Sequence, residues 1–227
     1  PAACTVDEKS GWKHASTVFT RLTVQESYFL VVSVRDYLYF NPYLEMSQTE
    51  ANLPHWRQDS VTYFVTFRLA DSVPQSKLSV WKLERDRWLS ENPKPHDDRQ
   101  NSEYYELFSA RIEKWMDAGE GGCALRNPKC ARIVEGALRY FDGERYDLGE
   151  YVVAANHVHA LVSPCLGDEL SDIIHSWKSY SATEINRVLG GSGSLWQKEY
   201  YDHIVRSAHA AYNIEQYIQS HAEYRIK

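Results

Sequence analysis

Two histidines separated by one residue, His157 and His159, stand inside an otherwise apolar run, residues 151–162 (YVVAANHVHALV). Runs of this kind form buried strands, and side chains two apart on a strand share a face. The two imidazoles therefore project together while Val158 turns into the opposite layer. A half-exposed pair of strand histidines would need no further account. The apolar flanks instead imply burial, and buried polar rings need partners. Two neutral imidazoles side by side make half of a divalent-metal site, though this ligand type alone suits Zn²⁺ or Ni²⁺ as well as other ions. The other reactive group to place is a phenol. The chain has sixteen tyrosines, most of which must be core or surface aromatics. Tyr217 precedes His221 by one helical step, so both can face one side of a helix. Tyr212 lies five positions before Tyr217, well round such a helix, and Tyr200 and Tyr201 fall in a segment that reads as a strand.

The elements that must position these groups can be read in order. A strand is expected over 61–69, rich in β-branched and aromatic residues. Helices follow over 75–90 and 102–118, separated by the Pro- and Asp-rich loop 92–98; Gly119, Gly121 and Gly122 stop the second. A third helix opens at Asn127-Pro128, where proline suits the first helical position, and runs to 141. Strand 146–155 and its neighbour with the two histidines come next, then a helix over 169–189, the turn at Gly190, Gly191 and Gly193, a short strand and a last helix over 208–222. This order predicts an α+β fold, an antiparallel sheet with helices packed mainly on one side. Residues 1–50 carry no usable motif, only a β-like run at 28–34, and are assigned to an N-terminal extension; residues 51–227 form the recognisable domain.

Composition sets outer bounds. At 227 residues the chain fits one large domain, or one domain with an extension. No apolar run is long enough to span a bilayer, and the first residues lack a basic start followed by an apolar stretch. The four cysteines, Cys4, Cys123, Cys130 and Cys165, are scattered; free thiols and a cytoplasmic, bacterial-type, nucleoid-associated location are expected. The net charge of −6 argues against a protein that coats duplex nucleic acid. Acid is dense before residue 120, whereas after 176 basic residues slightly outnumber acidic ones. A local basic groove is compatible with this; a broad one is not.

The ordered series His157-Val158-His159, Trp196-Gln197, Tyr201-Asp202-His203, Arg206 and Tyr217-Ile218 resembles the REP-associated tyrosine transposases, within the HUH single-strand DNA nucleases. The helical run 173–179 and the blocks 53–58 and 63–69 add to the likeness, which extends from about residue 50 to the end. The resemblance implies a split-βαβ, ferredoxin-like palm. It implies a hairpin-specific single-stranded DNA endonuclease and strand transferase, acting on REP-type palindromes through a 5′-phosphotyrosine joint. It makes His157 and His159 metal ligands, Tyr217 the nucleophile and Mg²⁺ or Mn²⁺ the cofactor, and it points to a monomer. The family ends with Asn-Pro after the tyrosine; here His221-Ala222 stands instead, so His221 is expected as third metal ligand. Lys178 and Arg206 match family positions and are expected on DNA phosphate or base edges, while Trp177 and Trp196, with Trp56, could stack on unpaired bases. The plainer readings are core tryptophans and solvated charge, Lys178 pairing with Glu184 or Arg206 with Asp202. Asn156 could orient a ligand or close the strand turn, and His175 and His203 read as supporting or structural.

Two other functions compete. Histidine-triad nucleotide hydrolases also use strand histidines, but they need a third alternating one, and Leu161 stands there. The second alternative is a non-catalytic DNA-binding module derived from a transposase.

Overall fold

A computed structural model describes residues 38–50 and 54–221 of the chain. The β-like run at 28–34, Leu53 and the end of the last helix at Ala222 lie outside the described residues. The elements are β1 (Ser47–Glu50), β2 (Pro54–Arg57), β3 (Tyr63–Arg68), α1 (Gln75–Glu91), α2 (Asp98–Tyr104), a π-helical turn (Tyr105–Ser109), α3 (Ala110–Asp117), a 3₁₀ turn (Ala124–Arg126), α4 (Pro128–Arg139), β4 (Tyr146–Val153), β5 (His157–Pro164), α5 (Leu170–Leu189), β6 (Tyr201–Ile204) and α6 (Ala208–Ser220). The helix expected over 102–118 is thus α2 and α3 run together through one wide turn.

Local chemistry sets the ends. Asn127 caps α4 by accepting from the Lys129 amide, with Pro128 at its first position. Ser207 caps α6 by accepting from the Ala210 amide. Gly190 ends α5 at φ 64°, a left-handed conformation that glycine adopts without steric cost.

Four strands form an antiparallel sheet in the order β4-β5-β3-β6. The strand with the two histidines is therefore an inner one. Across it Thr66 faces His159 and Arg68 faces His157 from β3, and Val152 faces His159 from β4. The period-2 rule then splits the sheet. Val65, Phe67, Val158, Ala160 and Val162 pack against Val134 and Leu138 of α4 and Ile173, Trp177 and Ile185 of α5. Phe64, Val152 and Leu161 face the other way, onto Ala211 and Ile218 of α6. At about 1.5–3 kcal/mol per large side chain removed from water, the α4–α5 layer holds most of the fold. The α+β expectation holds, with α6 crossing the face that bears the histidines. A separate cluster of Val73, Leu78 and Met116 fastens α3 to α1.

The short β1–β2 hairpin is a two-stranded sheet of its own. It is tied to β6 through the buried carboxylate of Asp202, which accepts from His55 Nδ1 at 2.5 Å and from Arg57. The boundary expected after residue 50 falls between these paired strands, and Phe40 bonds the carbonyl of Val205. Residues 38–50 thus pack with the sheet. Cys123 and Cys130 are free thiols, but Cys165 is disulfide-bonded, which corrects the expectation of free thiols throughout. Among the described residues no helix is long and apolar enough to cross a membrane.

Candidate active site

The two strand histidines are 1 % exposed, and their ring centroids lie 4.6 Å apart. Each has its Nδ1 engaged. The His157 Nδ1 lies 2.7 Å from Asn156 Oδ1, an acceptor, so the proton sits on Nδ1. Asn156 is itself held by amide contacts to the carbonyls of Ser72 and Glu120. The His159 Nδ1 meets the Thr66 hydroxyl at 2.7 Å. On α6, His221 donates from Nδ1 to the Tyr217 carbonyl at 2.8 Å. That local bond follows from the i, i+4 spacing and turns the imidazole toward the strand pair. Three Nε2 atoms therefore converge.

A fourth group joins them. Asp117, the last residue of α3, places Oδ1 3.1 Å from His221 Nε2 and 3.6 Å from His157 Nε2. The ligating atoms of Asp117, His157, His159 and His221 all lie within 4.8 Å of one another, and the cluster could hold a metal ion. Asp117 Oδ1 and His157 Nε2 are buried yet lack a hydrogen-bond partner, so the 3.1 Å approach of His221 is an ion-pair contact rather than a directed bond. Orphaned buried atoms of this type are what a cation would satisfy. The donor set therefore fits a divalent ion.

Electrostatics agree. Burial pushes His157 down to about 4, partly opposed by Asp117 and reinforced by His221. Burial and the two neighbouring imidazoles hold His159 well below its ordinary value. Both are neutral at pH 7 and have lone pairs to give. His221 is raised, chiefly by the Asp117 carboxylate beside it.

Tyr217 lies over this cluster, its hydroxyl 3.4 Å from His159 Nε2 and its ring edge-on to Phe64. Burial raises its pKa first, and the negative charges of Asp117 and Glu113 add to the effect. A bound cation would reverse the second contribution. Tyr212 is 57 % exposed.

Residues 128–221 match the family model described as Transposase IS200 like. That stretch is similar to the IS200-like transposases. It runs from α4 to the residue after α6 and so contains His157, His159, Tyr217 and His221, but not Asp117 or Thr66. Among solved structures, one of a REP-associated tyrosine transposase bound to a REP hairpin is similar at 11 % identity, over 78 % of this chain and 74 % of that one, with TM-score 0.37. A Deinococcus radiodurans R1 protein described as a transposase is similar at 15 % identity, over 73 % and 93 %, with TM-score 0.34. No curated protein matches the chain.

The IS200-like segment brings Tyr217, His157, His159 and His221 together but does not gather the expected DNA contacts. Trp177 and Trp196 are 2 % and 4 % exposed. Their indole N–H groups donate to the Tyr146 hydroxyl and to Ser181 Oγ, and Phe67 lies between them. Neither offers a face to a base, which corrects the stacking assignment: both are core residues. Trp56, by contrast, is 48 % exposed on β2. Lys178 is also turned inward, donating to the carbonyls of Gln197 and Lys198 at 2.8 and 2.7 Å, so it clamps α5 to the segment before β6 rather than reaching phosphate. Lys178→Gln should therefore lower unfolding stability by about 1.5–3 kcal/mol in denaturant titrations while leaving affinity for hairpin DNA within twofold. Arg206 is exposed, and with Trp56 it is one of the two expected DNA contacts that are open to a ligand. His203 flanks Phe64 on the same face, with its Nδ1 buried and without a hydrogen-bond partner.

Sequence reasoning missed Asp117, Thr66 and the acidic rim. Tyr105, in the π-helical turn, donates to Glu113 at 3.1 Å and lies near enough for its charge to bear on Tyr217 and Tyr201. No local motif marks these residues. The one available signal is the i, i+4 pair Glu113 and Asp117 just before the Gly119 stop, which reads more readily as a solvated helix face.

Proposed function

We propose that the protein is a hairpin-specific single-stranded DNA endonuclease and strand transferase that works through a 5′-phosphotyrosine intermediate on Tyr217. The observation that carries this reading is the 3.4 Å approach of the Tyr217 hydroxyl to His159 Nε2, within a buried cluster in which Asp117 Oδ1 and His157 Nε2 lack hydrogen-bond partners. His157, His159 and His221 would hold the cation, Mg²⁺ or Mn²⁺, with Asn156 fixing the tautomer of His157 and Thr66 orienting the ring of His159. When bound, the cation supplies charge neutralisation and polarisation at the scissile phosphate. Tyr217 gives up its proton and its oxygen forms a bond to phosphorus. The bond from phosphorus to the 3′-oxygen breaks, and the leaving strand takes a proton as its 3′-hydroxyl. The phosphotyrosine ester conserves the bond for transfer to another 3′-hydroxyl.

The substrate reading follows from charge and shape. A chain with net charge −6 gains little from duplex backbone, whereas unpaired bases offer faces and edges that a duplex hides. Tyr105 and Tyr201, 42 % and 40 % exposed beside the cluster, can take the stacking role that the buried tryptophans cannot. A short palindrome of the REP type, folded as a hairpin with unpaired flanking bases, fits this surface.

The test is incubation with such a hairpin and Mn²⁺, read on a denaturing gel. A covalent protein–DNA band supports the enzyme; a shifted but unlinked complex would leave only a DNA-binding module. In competition, a hairpin with a single-stranded flank should bind about tenfold tighter than blunt duplex, a difference of ~1.4 kcal/mol. Equal affinities would remove the hairpin reading.

A further inference from the structure

We propose that Asp117 is a fourth protein ligand of the cation, so that the site is complete for a four-coordinate ion and stays open only to ions that take six ligands. This rests on the reading that His157, His159 and His221 hold a cation, and extends it by a residue outside the segment that matches the family model. Asp117 reaches the cluster from a different part of the fold. Its helix, α3, is fastened to α1 by Met116 and stopped at Gly119, whose φ of 65° turns the chain away just past the site. Its Oδ1 stands 3.1 and 3.6 Å from two of the three converging Nε2 atoms and has no hydrogen-bond partner. Since the Nδ1 atom of His157 carries its proton, the carboxylate oxygen otherwise faces the lone pair of His157 Nε2 at 3.6 Å. Something positive belongs between them.

The number of protein ligands then decides between ions. Zn²⁺ is content with four, and sites with four protein ligands are closed ones. Mg²⁺ takes six, and with four from the protein it keeps two positions for substrate oxygens; Mn²⁺ shares its preference for octahedral oxygen-rich sites. Three imidazoles and one carboxylate bind Zn²⁺ well, so Zn²⁺ should occupy the site and exclude substrate.

A plainer role for Asp117 is to pair with a protonated His221, and the two roles differ in sign. A ligand, once neutralised, weakens metal binding. A mere ion-pair partner, once neutralised, frees His221 of its proton and leaves metal affinity equal or tighter. The experiment uses the metal-free full chain, titrated with Zn²⁺ and Co²⁺ against a chromophoric chelator. Asp117→Asn should weaken Zn²⁺ binding by about tenfold or more, alter the visible spectrum of the Co²⁺ form and relieve Zn²⁺ inhibition of Mn²⁺-supported cleavage. Wild-type or tighter Zn²⁺ affinity in this variant would overturn the proposal. His157→Ala separates the two levels. If it abolishes binding while Asp117→Asn does not weaken it, only the fourth ligand is lost; if it binds Zn²⁺ as the wild type does, the metal reading itself fails.

Discussion

Tyr217→Phe is expected to abolish the covalent protein–DNA adduct and to lower strand cleavage by about a thousandfold or more. The change deletes one oxygen and keeps the ring that packs edge-on against Phe64 and His159. Hairpin affinity, measured on native gels, should therefore stay within about threefold of wild type, a difference of ~0.7 kcal/mol. This pairing of a lost adduct with retained binding separates chemistry from recognition. An adduct that persisted in Tyr217→Phe would place the nucleophile elsewhere, first at Tyr212, which is exposed on another side of α6. Such a result would also leave the 3.4 Å contact with His159 without a chemical role.

In the absence of metal, the protein is expected to lose stability steeply as pH falls from 6.5 toward 4. His157 is held down at about 4 by burial, and His159 is also depressed. The unfolded chain therefore binds more protons than the native one through this window, and acid favours unfolding. His157 alone accounts for roughly 3 kcal/mol between its unfolded and folded values, at about 1.4 kcal/mol per pH unit. His221 works in the opposite sense: Asp117 raises it, so its contribution is present at low pH and fades as pH rises through its folded value. Two depressed groups against one raised group leave a net loss on acidification. The facing groups are Asp117 from α3, His221 and Tyr217 from α6, and Thr66 from β3. Urea unfolding in chelator at pH 7 and pH 4.5 measures the slope. His157→Gln, which cannot titrate there, should reduce it markedly; a slope unchanged by that substitution would mean that the acid sensitivity arises elsewhere.

The sequence was legible where one element carried the information. The alternation at His157 and His159 placed both rings on one face because a strand repeats every two residues, and β5 obeys it. Tyr217 and His221 share a helix face for the analogous reason, with the i, i+4 bond from His221 to the Tyr217 carbonyl as the visible result. Reasoning ran out wherever the answer lay between elements. Trp177 and Trp196 could serve bases or, more commonly for tryptophan, a core, and that choice is made where α5 and the segment before β6 close on Phe67. Lys178 finds two carbonyls that no pattern in its own helix announces. Asp117 lies forty residues before the strand it meets, on a helix whose docking depends on Met116 and α1. Its role belongs to tertiary structure alone.

The sheet order carries a further consequence. β5 is bonded to β4 on one side and β3 on the other, so its amides open only when the sheet itself comes apart. α6 makes no backbone hydrogen bond to a strand among the described residues; it rests on the smaller apolar cluster through Ala211 and Ile218 and is capped by His221. The histidine pair and the tyrosine thus sit in parts of the molecule with different local unfolding energies. Partial opening that releases α6 would remove Tyr217 and His221 together while His157 and His159 kept their places. Reassembly would then restore the nucleophile and its neighbouring ligand as one unit, docking onto a half-site that never dispersed.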